Sequence, residues 1–201
     1  MSENNHNRGI VFPVSNTVLL PGVTTKFFLK TPEEVQLQFL QDENSTNIAL
    51  PLKQNFGQKD LKEEDFYRMG VIFQVTDSRR TEKGIQLTVH ITERVEVKEV
   101  NIESGLILAG YEIFPDNTDL DHKSQEEMLD YLKKVIREIS VKFQGGEQYI
   151  RIVEEFKDLN ALMVYLSQYM PISNEERYEL LEIESLKERS LRFMDHLLKQ
   201  K

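Results

Sequence analysis

The chain has 201 residues, no cysteine, and a formal net charge of −9 from 34 acidic and 25 basic residues. Disulfides and thiolate metal sites are therefore excluded. The acidic excess is spread over both halves, which argues against a phosphate-binding face and against nucleic acid as the main partner.

A chain of this length buries roughly 70% of its unfolded surface, enough for a core without staples. The polar start, residues 1–8, holds no apolar stretch of the kind a secretory signal needs. No apolar run approaches the ~20 residues of a membrane span. Together these features point to a cytoplasmic protein. In that compartment the sequon Asn44-Ser45-Thr46 is incidental.

Residues 9–117 read as strands and turns. Val11-Phe12-Pro13-Val14 is an apolar run broken by proline, and Val18-Leu19-Leu20-Pro21-Gly22 is a second run closed by a turn. Proline has no ladder donor, so Pro13 belongs at an edge or bulge. Pro21-Gly22 suits a turn in which proline presets φ and glycine takes the permissive position. Strand patterns follow at Thr25–Leu29, Asn47–Leu52, Gly70–Val75, Ile85–Ile91, Val95–Val100 and Leu106–Ile113. Thr81-Glu82-Lys83-Gly84 reads as a hairpin with Gly84 at positive φ. Thr31-Pro32-Glu33-Glu34 is a capping box that opens a short helix. Asp60 to Arg68 suggests a further helical turn. Many short strands with few helices imply a small, distorted barrel.

Residues 118–201 change period. Ser124-Gln125-Glu126-Glu127 is a capping box, and Met128, Leu132, Val135, Ile136, Ile139 and Phe143 follow at helical spacing. Gly145-Gly146 stops that helix. Ile150, Val153 and Phe156 mark a short second one. Asp158 caps a third, with Leu159, Leu162, Leu166 and Met170 on one face and Pro171 at its end. Ser173-Asn174-Glu175-Glu176 and Ser185-Leu186-Lys187-Glu188 open two more. Successive capped amphipathic helices make a bundle.

Polar chemistry is sparse. The histidines, His6, His90, His122 and His196, show no i,i+3 or i,i+4 pairing. A metal site from His90 and Glu93 weighs little against a solvated pair at a strand end. Glu63-Glu64-Asp65 reads as a solvated helix start rather than an acid–base set. Arg79, Arg80 and Lys83 form a basic hairpin tip, better suited to blunting edge pairing than to holding RNA. No Gly-x-x-x-x-Gly-Lys-Ser/Thr phosphate cradle occurs.

Several segments, in order, carry a resemblance. Val11 to Gly22 resembles the opening "P-L-R-D/N-x-V-L-F-P-G" pattern of the Lon protease family, with Ser15 in place of arginine and Leu20 in place of phenylalanine. Glu64 to Val71 is similar to the family's "E-D-L-Y-x-V-G-T" segment. Lys83 to Val89 with Arg94 resembles its "G-x-x-x-V-L-V-E-G-x-x-R" hairpin, with Ile91 where glycine is usual. Leu162 to Arg189, through Met170-Pro171-Ile172-Ser173 and Leu180-Leu181-Glu182, is similar to "A-D-x-I-A-x-x-L-P-L-x-x-E-E-K-Q-x-L-L-E…R". The resemblance covers the chain after its short tail.

It implies an α+β fold: a PUA-like β pseudo-barrel over 9–117, then an α-helical bundle subdomain over 118–201. It also implies the N-terminal, substrate-recognition region of an ATP-dependent serine protease. Such a region is non-catalytic. It captures unfolded, damaged or degron-bearing polypeptides for protein quality control and supports assembly of a hexamer. No catalytic, metal or cofactor-binding residue is expected in this chain. ATP and magnesium belong to the ATPase and protease domains, which lie outside these residues. The chain is read as part of such a protease. The alternative is a stand-alone adaptor that joins one protein to another without proteolysis.

Capture of unfolded chains calls for exposed, adaptable apolar surface, here on the barrel and in a groove beside the bundle. Phe27, Phe28, Phe56, Phe66 and Tyr67, near turns and strand ends, are the candidate contacts. Phe27 and Phe28 are consecutive, so one faces away from the barrel core. For each residue, core packing is the competing role.

Overall fold

A computed structural model describes residues 7–30, 34–54 and 60–199. The fold is α+β, and the chain divides between Pro115 and Asp116 into two compact units.

The first unit holds β1 (Asn7–Val14), β2 (Thr24–Leu29), α1 (Glu34–Gln41), β3 (Asn47–Pro51), β4 (Met69–Thr81), β5 (Gly84–Glu103) and β6 (Leu106–Ile113). Of the capping box read before α1, Thr31, Pro32 and Glu33 lie outside the described residues. The strands are ordered β2-β5-β4-β3-β1-β6, and β6 pairs again with β5. Five strands thus close a ring and β2 is added along β5. Closure removes most free edges, the main liability of a small sheet.

β1 and β3 run parallel, with Val11 opposite Ile48 and Pro13 opposite Leu50. Every residue of β3 is buried, as are Ile10 to Pro13's neighbour Phe12 on β1. This is why both read as continuous apolar runs, the mark of strands covered on both faces. One face builds the barrel interior from Val11, Ile48, Leu50, Val95, Val97 and Ala109. On the opposite face Phe12 meets Phe73 edge-on, at 5.3 Å between ring centroids.

Pro13 is accommodated by register. The N–H of Ile10 donates to Thr46 and that of Leu52 donates to Val14, so the even residues of β1 face β3. Pro13 faces the other side, where pairing with β6 has already ended at Ile10. Residues Leu20 to Val23 form the expected turn, with Gly22 at φ 95° and the Val23 N–H donating to Leu20. The second apolar run, Val18–Leu20, is not a strand.

β5 corrects the sequence reading. Ile85–Ile91 and Val95–Val100 are one strand of 20 residues, not two. A straight strand of that length would span about 65 Å. It curves instead, with register shifts opposite Ile72/Phe73 and Val75/Asp77, and a third against β6 at Val97/Glu99. Such bulges bend a strand and raise its twist, which lets one strand pair on both sides of a closing barrel. Gly84 has φ 144°, and a Cβ there would lie 2.2 Å from the Leu29 carbonyl oxygen, so the β4–β5 turn requires glycine.

The second unit holds α2 (His122–Ser140), α3 (Gly146–Glu155), α4 (Leu159–Tyr169), α5 (Asn174–Glu182) and α6 (Leu186–Leu198). Leu132, Ile136, Leu162, Leu166, Leu181 and Leu197 are all but fully buried and form its core. Asp158, Ser173 and Ser185 cap α4, α5 and α6 as read from sequence, and Ser173 and Glu176 close a reciprocal box. α2 differs. Its cap is Asp121, whose carboxylate accepts from the Ser124 N–H and hydroxyl, so the helix starts one turn before Ser124. It also ends at Ser140, which leaves Phe143 outside the helix.

Candidate functional site

The proposed contacts scatter. Phe28 is half exposed on β2, while Phe27, on the opposite face of that strand, packs edge-on against Phe73 at 5.3 Å. Alternation along β2 dictates this division. Phe66 is a correction: at 3% exposure it belongs to the barrel core with Leu52 and Val97. Its backbone bridges to Leu52, which turns the ring inward, so it cannot meet a bound chain while the barrel is folded. Tyr67 next to it is partly buried, and its N–H donates to Pro51. Phe56 lies outside the described residues. The structure therefore leaves Phe28 as the exposed aromatic of that group among the described residues.

The polar candidates stay apart. His90 places its ring 3.0 Å from the Thr24 hydroxyl. Glu63 to Asp65 form a short 3-10 turn, tied by the Lys62 N–H donating to Asp65 and by Arg68 beside Glu63. Arg79, Arg80 and Lys83 are solvent-exposed along the β4–β5 hairpin. Among the described residues, no group of three or more His, Asp or Glu side chains is placed to hold a metal. Also among them, no helix is long and apolar enough to cross a membrane. His196 is buried on α6, with its ring nitrogens 3.1 and 3.3 Å from carboxylate oxygens of Glu176 and Glu179 on α5.

The helical unit holds a feature that sequence periodicity missed. The last turn of α2, the turn through Phe143 and Gly145, the start of α3 and the end of α4 enclose a cleft of about 410 Å³. Its walls are Ile139, Ser140, Phe143, Gln144, Tyr149, Tyr169, Met170 and Pro171, with Gly145 and Gly146 between them. No lining side chain is charged. Phe143 is 65% exposed and Tyr169 63%. Tyr149 and Tyr169 flank Tyr165, at 6.0 and 4.7 Å between centroids, so the wall continues as an aromatic stack. Burial, with Tyr165 and Tyr169 adding to it, pushes the Tyr149 hydroxyl well above the usual phenol range. The wall therefore carries no charge at physiological pH. The turn that frames the cleft is fixed by its glycines. Gly145 has φ 85°, and a Cβ on Gly146 would fall 1.9 Å from the Ser140 carbonyl oxygen.

Against this geometry stand the comparisons with known proteins. The family model described as the ATP-dependent protease La (LON) substrate-binding domain matches residues 10–199. The chain belongs to the LON substrate-binding family.

Relatives in the LON family agree along the same span. The Lon protease of Clostridium beijerinckii is 53% identical over 199 residues, covering 99% of this chain and 25% of that protein. The Lon protease of Methanosarcina barkeri is 30% identical over 198 residues, covering 98% and 25%. The chain thus spans about a quarter of the length of these relatives. The N-terminal domain of the Mycobacterium avium complex Lon protease superposes with a TM-score of 0.76 at 17% identity, covering 97% of this chain and all of that one. The Lon N-terminal domain protein from Xanthomonas campestris gives 0.64 at 17% identity, covering 96% and 98%. At that identity these two structures speak to the fold: the barrel and bundle are those of Lon N-terminal domains.

Proposed function

We propose that this chain captures unfolded, damaged or degron-bearing polypeptides for a Lon-type ATP-dependent protease and contributes to that protease's assembly. The observation that carries the reading is the family match over residues 10–199. Apolar side chains left in water support it: Phe28 on the barrel, and Phe143 and Tyr169 on the helical unit. Isolated exposed apolar residues are ordinary on any surface, but a cleft rimmed by several is the kind of surface that adaptable polypeptide recognition uses. Each contact of this type is weak. Useful affinity comes from several copies acting on one chain, as in a ring of subunits.

The chain itself performs no covalent step in this reading. ATP hydrolysis, its magnesium and peptide cleavage belong to the remaining domains of the protease, which are its partners along with the substrate. Work on soluble polypeptides fits the acidic composition, since a net charge well away from zero keeps a chain soluble. RNA capture fits it poorly, because the basic hairpin tip offers few of the contacts that phosphate binding needs.

An immunoblot of source-cell lysate with antibody against this chain tests the placement in a protease. A band several-fold above 23.6 kDa is expected. A native product of that size itself would overturn the placement and favour the adaptor, which joins proteins without proteolysis.

A further inference from the structure

We propose that the cleft of the helical unit receives one aromatic side chain of an unfolded polypeptide, stacked among Phe143, Tyr149 and Tyr169. The inference rests on the polypeptide-capture reading above and assigns it a specific site and side-chain class.

The lining decides the chemistry. In a chain that is 29% charged, a cleft with no charged wall residue does not suit a phosphate, a carboxylate or a metal ion. It suits an apolar group. Three aromatic rings and the Met170 thioether favour an aromatic guest over an aliphatic one, because ring–ring and sulfur–ring contacts add to area burial.

Size decides between occupants. The volume of about 410 Å³ lies at the small end of ligand pockets, roughly 300–1,000 Å³, and admits one large side chain with its flanking backbone. A stable dimer buries about 800 Å² on each partner, far more than such a cleft offers. A second copy of this chain is therefore the poorer fit.

The framing turn keeps the cleft preformed. Gly146 lets the start of α3 sit directly against the Ser140 carbonyl at the end of α2, and Gly145 takes the positive φ that turns the chain there, so little ordering is needed on binding. The early end of α2 places Phe143 at the rim, where it is largely exposed instead of continuing the buried face.

The test uses the full 201-residue chain and a soluble, net-neutral Gly/Ser-rich polypeptide carrying spaced phenylalanines. Matched polypeptides carry leucine or alanine at those positions. Fluorescence anisotropy gives the affinities, and amide NMR follows Gly145 and Gly146. The phenylalanine polypeptide is expected to bind about tenfold more tightly than the alanine one, with leucine between them. Only the first should shift the Gly145 and Gly146 resonances strongly. A double variant, Phe143→Ser with Tyr169→Ser, should bind phenylalanine and alanine polypeptides alike. Both positions are mostly exposed, so the variant should keep the far-ultraviolet circular dichroism of the parent; were it to unfold, the shifts on the parent chain decide alone.

Equal affinity for the three polypeptides, or undiminished phenylalanine binding by a folded double variant, would overturn the site while leaving polypeptide capture intact. A dimer in sedimentation that Phe143→Ser dissociates would reassign the cleft to a second copy. Failure to bind any of the three would remove both the site and the capture reading beneath it.

Discussion

Arg189 shows what one residue contributes. Its side chain is about nine-tenths buried, and the guanidinium donates to Asp116 and Asn160 at 3.2 Å and to the Ile183 carbonyl at 3.0 Å. One planar fork thus ties the start of the helical unit to α4 and to the α5–α6 connection. Burial pulls the guanidinium's pKa down and Asp116 pushes it back, yet arginine starts so high that it stays charged. A lysine has the charge but not the fork. Arg189→Lys should therefore destabilise the chain by about 2 kcal/mol, and Arg189→Ala by about 3 kcal/mol or more, since every acceptor of the guanidinium loses its donor. Urea unfolding followed by circular dichroism measures both, and a neutral Arg189→Lys would contradict this role. Arg189 was visible in sequence as part of a family-like segment. Its role was not, because a lone arginine gives no sign of burial.

At the scale of elements, helix ends were the most legible feature. Asp158, Ser173 and Ser185 were read as caps because a short polar acceptor precedes an apolar period, and each accepts from the backbone N–H three residues on. Ser173→Ala should cost about 1 kcal/mol. At the start of α2, Asp121 and Ser124 are both good caps one turn apart, and only the fold reveals which accepts. At its other end the apolar periodicity continues past Ser140 to Phe143, but backbone helicity does not. In the barrel, the charged residues Glu93 and Arg94 looked like a break between strands. They sit instead beside the bulge in β5, where Arg94 is buried and stacks on Phe114 at 5.1 Å.

Three carboxylates in the helical unit give its stability an acid dependence. The Ser185 hydroxyl and Lys187 N–H hold Asp119 below the usual carboxylate range. The Ser124 N–H and hydroxyl do the same for Asp121, and the bond from Arg137 does so for Glu154. Each ionises at lower pH in the folded chain than in the unfolded one. Their stabilisation is therefore complete above the ordinary carboxyl values and is lost as pH falls through the lowered ones. Melting temperature should drop as pH falls below about 4, and Asp119→Asn should flatten that drop. An unchanged acid profile in the variant would show that Asp119 contributes nothing to it.

For the whole molecule, two kinds of information came from sequence in different amounts. The α+β class and the barrel-then-bundle order were legible, because hydrophobic period switches from alternation to helical spacing along the chain. The surface was not. Strand alternation showed that one of Phe27 and Phe28 faces out, but not that Phe66 turns inward or that residues far apart in sequence enclose an uncharged cleft. Periodicity locates a core far better than it locates a groove assembled from three helix ends.

The proposed capture role requires that this chain distinguish unfolded from folded polypeptides through apolar contacts. Equilibrium binding of the 201-residue chain to one test protein, permanently unfolded by chemical modification and compared with its native form, addresses this most directly. Saturable binding to the unfolded form alone is expected, little changed between low and moderate salt, and weakened by Phe143→Ser and Tyr169→Ser. Equal binding to both forms, no binding to either, or an interaction abolished by moderate salt would contradict it.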